Sequence, residues 1–155
     1  MSDFYTSAIP TDVTWQPTSE AAAEAEAYLR RVFPDPDGVG QEVLVWFYGR
    51  VTAVDAGENL VQISCPRCDG DIPIDWYDSL IEETKGKFET LDVTVSCCGA
   101  MVSLDTLRFD WSSGFARFEI AVRNPARAEY EFTSEELHLL AAILGHPVRQ
   151  ILAHI

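Results

Sequence analysis

Two pairs of cysteines constrain this chain more than any other feature of its sequence. Cys65 and Cys68 are separated by Pro-Arg in the segment CPRCDG, and Cys97 and Cys98 are adjacent in the later segment CCG. Each pair follows a segment patterned as a strand, LVQIS or DVTVS, and precedes a short apolar segment, IPI or AMVSL. Zinc takes four thiolates at tetrahedral corners, and a C-x-x-C turn directs two thiols into one concavity. The pattern therefore predicts two hairpin tips that face each other across one zinc ion.

The adjacency of Cys97 and Cys98 sets a condition on that interpretation. Neighbouring side chains on an extended strand point to opposite faces, so both thiols reach one metal only if the chain bends, which Gly99 permits. Three other interpretations stay open. One is a redox pair, disfavoured because Asp69 and Asp71 would raise the thiol pKa, and another is buried cysteine without a ligand. The third is a site of three cysteines and one histidine, with the candidates His138, His146 and His154.

The segment from Ser64 to Leu104 resembles a zinc ribbon, in which two hairpin knuckles bring four cysteines to a structural zinc. CPRCDG is close to the ribbon pattern C-P-x-C-G, whereas CCG departs from it because it has no spacer between the thiols. With four thiolates bound, no coordination position remains for water or substrate, so the zinc is expected to be structural. Together with GFARFEIAVRNP and the closing AHI, these motifs also resemble small uncharacterised bacterial proteins, a resemblance that covers residues 60–155 and implies no activity.

Periodicity predicts an α+β protein with a mainly antiparallel, mixed sheet and helices at both ends. Thr18 or Ser19 can cap the helix SEAAAEAEAYLRRVF, and Thr133 with Glu136 forms a capping box before SEELHLLAAIL. Pro147 is at a favourable first-turn position for a last helix, PVRQILAHI. Between them, EVLVWFYGRVTAV has the continuous apolar middle of a central strand. FARFEIAV is predicted as an alternating strand, with an apolar side and a side that contains Arg117, Glu119 and Arg123.

Shorter segments complete this prediction. The turn DAGEN joins EVLVWFYGRVTAV to a returning strand at 59–64, which makes a hairpin that leads into Cys65. IPIDW is predicted as a strand and Asp78 to Thr84 as a helix. The chain is interpreted as a single domain over residues 1–155, with an irregular N-terminal arm at 1–17 and a zinc-ribbon-like insert at 60–104.

The charge of the chain restricts its partners. Its 25 acidic and 11 basic residues give a formal net charge of -14, which disfavours binding to nucleic acid and to anionic membranes. No apolar run is long enough to span a membrane and the start lacks a signal-peptide pattern, so a cytoplasmic location is expected. One group of acidic residues follows the first cysteine pair and is interpreted as a solvated face where a basic protein could dock: Asp69, Asp71, Asp75, Asp78, Glu82 and Glu83.

One basic and aromatic stretch stands against this acidic background. It contains Arg108, Arg117, Arg123 and Arg127 among several aromatic residues, a mixture found in nucleic-acid-binding modules. Acidic residues inside the same stretch, Glu119 among them, favour a sheet face on which arginine and glutamate pair across strands. No nucleophile elbow, phosphate-binding loop or dinucleotide motif is present in the sequence.

These observations predict a non-enzymatic protein that binds another macromolecule and carries a structural zinc. Small size, high acidity and the lack of a catalytic motif suit an inhibitor of a basic protein, such as an immunity protein that neutralises a toxin or enzyme. Two alternatives belong to other classes. A small zinc-dependent hydrolase or deaminase would leave one coordination position for water, and a transcription-associated zinc ribbon would bind nucleic acid.

Overall fold

A computed structural model of the chain describes residues 3–38, 40–54, 61–111 and 113–155. In these residues three α-helices and ten β-strands form an α+β fold, and the strand pairs are antiparallel. The predicted class and the mainly antiparallel sheet are therefore confirmed. None of the described helices is long and apolar enough to cross a membrane.

A five-stranded sheet forms the larger part of the fold. With strands numbered along the chain, its spatial order is β10 (Val148–His154), β1 (Phe4–Pro10), β9 (Gly114–Arg123), β2 (Glu42–Val54) and β5 (Lys87–Phe88). The first and last strands of the chain are thus neighbours, and β9 lies at the centre. Strand β2, which was predicted to be central, has partners on two sides, as does β9.

Two helices pack on one face of this sheet. They are α1 (Ser19–Val32) and α3 (Ser134–Leu144), and both begin where their capping signals predicted. The Thr18 side chain accepts a hydrogen bond at the start of α1, and Thr133 and Glu136 form the predicted capping box at the start of α3. Since these signals act within one helical turn, they could be recognised from the sequence alone.

Alternate residues of the strands meet the helices in a first apolar core. Leu29 and Phe33 from the first helical segment, Phe118 and Ile120 from β9 and Leu140 from α3 are buried together there. Phe118 and Ile120 are two residues apart, so they project from the same face of β9. The residue between them, Glu119, belongs to the opposite face.

The cysteines lie in a second part of the fold that is built from short elements. In chain order these are β3 (Ile63–Ser64), β4 (Asp71–Ile72), α2 (Ile74–Thr84), β6 (Asp92–Thr94), β7 (Met101–Ser103) and β8 (Arg108–Phe109). Strands β4, β3 and β8 form one small sheet, and β6 and β7 form another. A second apolar core joins these elements to the ends of β2 and β9.

Two predictions for the chain ends are wrong. The predicted irregular arm at 1–17 contains β1, and the predicted last helix PVRQILAHI is strand β10. Each strand pairs with the other over its full length, from Phe4 opposite His154 to Pro10 opposite Val148. The buried Ile151 and Ala153 alternate with more exposed neighbours at the period of a strand. A segment of seven residues can fit a strand as well as a helix or an irregular arm, and here pairing with the strand at the other end of the chain determined that both segments are strands.

Two further predictions also need correction. Strand β3, predicted to form a hairpin with β2, pairs instead with β4 and β8 in the described residues, while the predicted turn DAGEN lies outside those residues. Helix α2 begins at Ile74, inside the segment IPIDW that was predicted as a strand. Pro73 is the N-cap of this helix, where its missing N–H leaves no intrahelical hydrogen bond unmade. The division into a single domain with an insert at 60–104 stays a prediction.

Candidate metal centre

The first cysteine pair lies on a tight turn between β3 and β4. The backbone N–H of Cys65 donates to the carbonyl of Gly70 at 2.9 Å, and that of Asp69 donates to the carbonyl of Cys65 at 3.0 Å. Asp69 has a positive φ of 60°, a conformation that aspartate adopts more readily than most residues. The turn therefore reverses the chain directly after Cys68 and carries both thiols at its tip.

The second pair lies on a turn of the same backbone design between β6 and β7. The N–H of Val95 donates to the carbonyl of Ala100 at 3.0 Å, and that of Gly99 donates to the carbonyl of Val95 at 2.9 Å. Gly99 has φ of 71° and occupies the position that Asp69 occupies in the first turn. By this correspondence Val95 takes the place of Cys65, and Cys98 takes the place of Cys68.

This correspondence explains how adjacent cysteines serve one site. In the second turn the position of Cys65 is filled by the fully buried Val95, and the missing thiol is supplied by Cys97 from the turn itself. Because residues in a turn do not alternate between two faces as strand residues do, Cys97 and Cys98 are not directed apart. The bend that the adjacent cysteines required is therefore present.

The four sulfurs converge on one point. The Sγ atoms of Cys65 and Cys98 are 3.9 Å apart, those of Cys68 and Cys97 are 3.5 Å apart, and all four lie within 4.8 Å of one another. Four sulfurs at about 2.3 Å from a tetrahedral centre would be separated by about 3.8 Å. The cluster could hold a metal ion, and no histidine of the described residues belongs to it.

The histidines offered as alternative ligands have other neighbours. The ring of His146 stacks on Trp15 with centroids 4.7 Å apart, and that of His154 stacks on Phe4 at the same distance. His138 lines a separate cavity beside helix α3. In the part of the chain that the structure describes, the group that could hold a metal ion thus consists of cysteines alone.

The electrostatics of the cluster also favour a bound cation. Backbone N–H groups of Cys68 and Arg67 directed at the Cys65 sulfur lower the pKa of that thiol to about 7. The pKa of the Cys97 thiol is raised to about 12, mainly by partial desolvation of its sulfur and to a smaller extent by the neighbouring thiols of Cys68 and Cys65. The Cys97 residue as a whole is nevertheless exposed. A metal ion at the centre of the cluster would supply positive charge that stabilises the thiolates of Cys65 and Cys97 as it displaces their protons.

The cluster is exposed on one side and anchored on the other. Cys65 is fully buried in the second apolar core, whereas the other three cysteines are exposed. Gly70 passes so close to the cluster that an added Cβ would lie 3.1 Å from the Cys68 sulfur. The apolar side of the cluster is therefore continuous with the core, and its polar side lies at the surface.

Two of the acidic residues predicted as a docking face lie at the first turn or directly after it, and the other four lie on α2. All six are exposed: Asp69, Asp71, Asp75, Asp78, Glu82 and Glu83. Asp69 forms an ion pair with Arg108, and Asp71 accepts a hydrogen bond from the Gln62 side chain at 3.1 Å. Exposure agrees with the predicted solvated face, and docking of a partner there stays a prediction.

The basic stretch is engaged in contacts within the chain. Arg108 pairs with Asp69, Arg117 donates to two backbone carbonyls, and Arg127 pairs with Glu136. Arg123 forms the predicted type of cross-strand pair with Glu42 at 2.9 Å. Glu119, expected on the same paired face, makes no ion pair among the described residues and accepts hydrogen bonds from two hydroxyl groups instead.

Comparison of the chain with protein-family models, with curated proteins and with solved structures finds no match. The resemblance to zinc ribbons therefore depends on the cysteine pattern and the two turns alone. Sequence reasoning found the four cysteines but missed the equivalence of the turns. The sequence does contain one signal of this equivalence, because Asp69 follows Cys65 at the same spacing as Gly99 follows Val95. That spacing could be interpreted only once the backbones of both turns were known.

Proposed function

We propose that the four thiolates of Cys65, Cys68, Cys97 and Cys98 bind one zinc ion whose role is structural. The single observation that carries this proposal is the convergence of the four sulfurs within 4.8 Å from two turns of equal design. Zinc is the metal that tetrahedral four-cysteine sites most often take in proteins. Four thiolates complete its coordination, so the ion has no position for water or substrate.

A structural zinc would also stabilise a part of the fold whose strands contribute little stability of their own. The strands that lead into and out of the two turns contain two or three residues each, so they bury little apolar surface and form few ladder hydrogen bonds. A metal that links both turns contributes its binding free energy directly to folding. The buried Cys65 transmits this constraint to the second core.

Metal analysis combined with single substitutions tests the structural zinc. We expect one zinc per chain in the purified, reduced protein, and each Cys→Ser variant should lose tight binding because every thiol fills one corner of the site. Ser96→Ala, at an exposed position beside Cys97, is the control and should retain zinc. Protein without zinc would contradict the proposal, and a single cysteine whose loss spares both metal and folding would indicate an open, hydrolase-like site.

We further propose that the protein is a non-enzymatic binding protein whose acidic face receives a basic macromolecule, as an inhibitor or immunity protein would. Support comes from the net charge of -14 and from the exposed carboxylates beside the metal centre and on α2. Such a field accelerates encounter with a basic partner and discourages acidic ones.

A salt-dependent capture experiment with charge-matched variants tests this second proposal. The triple variant Asp75→Asn, Asp78→Asn, Glu82→Gln removes three charges from the face. Its control, Glu20→Gln, Glu24→Gln, Asp37→Asn, removes the same charge from exposed positions on and after α1. A basic protein retained from cell extract at low salt should be lost with the face variant and kept with the control. No basic protein retained at low or high salt, or equal loss with both variants, would contradict the proposal.

A further inference from the structure

A buried carboxylate lies on the face of the large sheet opposite the helices. Glu119 of β9 is 8% exposed and accepts two hydrogen bonds of 2.7 Å, one from the Ser7 hydroxyl and one from the Tyr48 hydroxyl. Burial raises the pKa of this carboxyl, and the two hydroxyl donors offset the effect only in part. A buried ionised carboxylate is costly unless a positive charge accompanies it.

No side chain of the described residues provides that positive charge. Every arginine and lysine of the sequence lies within the described ranges, and none forms an ion pair with Glu119. The arginines nearest in sequence are engaged elsewhere. Arg117 donates to the carbonyls of Tyr48 and Gly49, and Arg123 pairs with Asp3 and Glu42.

Glu119 lines a cavity whose walls suit a cation. The cavity has a volume of about 250 Å³ and is lined by Tyr5, Ser7, Trp46 and apolar residues that include Ala153 and Ile155. Trp46 is the direct neighbour of Glu119 across the β2–β9 pair, and Tyr5 faces Ala153 across β1–β10. Aromatic rings attract cations through their electron-rich faces, tryptophan most strongly. No lysine or arginine is among the residues that line this cavity.

We propose that this cavity binds one organic cation, a primary ammonium or guanidinium group on a short aliphatic stem, with Glu119 as its counter-charge. The head group would meet the carboxylate oxygens, which retain lone pairs beyond those used by Ser7 and Tyr48. The stem would lie against the rings and the small apolar residues. The inference does not rest on the proposed zinc or on the acidic face, since Glu119 belongs to a different sheet from the cysteines.

The size of the cavity and the charge of the molecule both support this class of ligand. Drug-sized ligands occupy pockets of about 300–1,000 Å³, so about 250 Å³ suits a group the size of one long side chain. A net charge of -14 raises the local concentration of cations and lowers that of anions. The cation could arrive as a free small amine or as a lysine or arginine side chain of another protein, and both present the same chemistry.

Titrations followed by NMR of the full chain test the inference with defined probes. n-Butylammonium represents the free amine, capped lysine (N-acetyl-lysine N-methylamide) represents the side chain, and 1-butanol is the neutral control of similar shape. The readout is the saturable shift of the backbone amides of Ser7, Trp46 and Glu119. We expect n-butylammonium to bind in the millimolar range and 1-butanol at least about tenfold more weakly.

Two variants of equal charge locate the effect. Glu119→Gln should weaken n-butylammonium at least about tenfold, because it removes the counter-charge and keeps the shape, whereas Glu89→Gln at an exposed site should change its affinity less than about twofold. If Glu119→Gln does not fold, the proposal is tested by two other measurements. Trp46→Leu should weaken n-butylammonium, and the unaltered chain should bind n-butylammonium more tightly than 1-butanol.

Each outcome has a defined meaning. Tighter binding of capped lysine than of n-butylammonium identifies a protein side chain as the source of the cation, and the reverse order identifies a free amine. Equal shifts from n-butylammonium and 1-butanol, no saturable shift at Glu119, or unchanged affinity in both Glu119→Gln and Trp46→Leu would overturn the inference. None of these results depends on zinc content or on capture of a basic protein, so the proposals fail separately.

Discussion

The substitution Gly99→Ala tests whether the turn that carries the adjacent cysteines depends on its backbone conformation. Gly99 has φ of 71°, and an added Cβ would meet no heavy atom within 4 Å. The effect of alanine is therefore purely conformational, about 1–2 kcal/mol for an L-residue in the left-handed region. In a chain of this length each kcal/mol lowers Tm by about 2–4 °C, so we expect a loss of about 2–8 °C by thermal unfolding of the zinc-loaded protein.

Two matched substitutions make this test specific. Gly99→Asn should destabilise less than Gly99→Ala, because asparagine adopts the left-handed region more readily. Gly49→Ala should leave Tm nearly unchanged, since Gly49 has no positive φ and no heavy atom near its added Cβ. Equal losses for alanine and asparagine at position 99, or an equal loss at position 49, would refute the conformational reasoning.

Gly70, which follows the first-turn residue equivalent to Gly99, allows a different effect to be measured. Its φ is not positive, but an added Cβ would lie 3.1 Å from the Cys68 sulfur. In metal-free protein the Cys68 sulfur can move away from the added Cβ, but a bound metal would hold it in place. Gly70→Ala should therefore weaken zinc affinity, measured by chelator competition, more than it lowers the stability of metal-free protein. Ala100→Gly, at the equivalent position of the second turn, is the control and should leave zinc affinity unchanged.

The remaining predictions concern metal removal and two charged groups. Removal of the metal by a chelator should increase amide exchange around Val95 in the second core and leave Leu140 in the first core protected; equal exchange in both cores would contradict this. Arg127→Met should lower the free energy of unfolding by about 3–5 kcal/mol in denaturant titrations, because it leaves the largely buried Glu136 carboxylate, now 2.7 Å from the guanidinium, without its partner. Glu119 has a raised pKa, so its stabilising contribution is complete at acid pH and is lost as pH rises through the folded-state value. Glu119→Gln should therefore lose less stability than the unaltered chain as the pH rises above the ordinary range of a glutamate pKa, and parallel pH profiles would contradict this.

Local signals in the sequence were sufficient for several elements. The caps at Thr18 and at Thr133 with Glu136 act on backbone groups within one helical turn, and both helices begin where these signals predicted. The continuous apolar run that became β2 indicated an inner strand, and the alternation in the segment that became β9 indicated a strand, without any knowledge of their partners. The four cysteines were likewise identified as a group by residue type and by the strand patterns before them.

Pairing between distant segments could not be predicted in the same way. The segments that became β1 and β10 each fit more than one local structure, and the choice depended on their contact with each other from opposite ends of the chain. The same reason explains the wrong hairpin, since β3 found its partners in β4 and β8 instead of β2. All ladder hydrogen bonds of a strand are made to neighbouring strands, so a short segment becomes a strand only together with its partner.

The sequence by itself determined the composition of the candidate metal centre, the caps of the two long helices and the strong negative charge of the chain. Only the tertiary structure decided that Cys97 and Cys98 share one point with Cys65 and Cys68, because this depends on a turn in which Val95 occupies the position of a cysteine. It alone also placed Glu119 in a cavity without a cation. The physical reason is the same in both cases: residue type specifies what a side chain can bind, and the folded backbone specifies which other groups are near enough to join it.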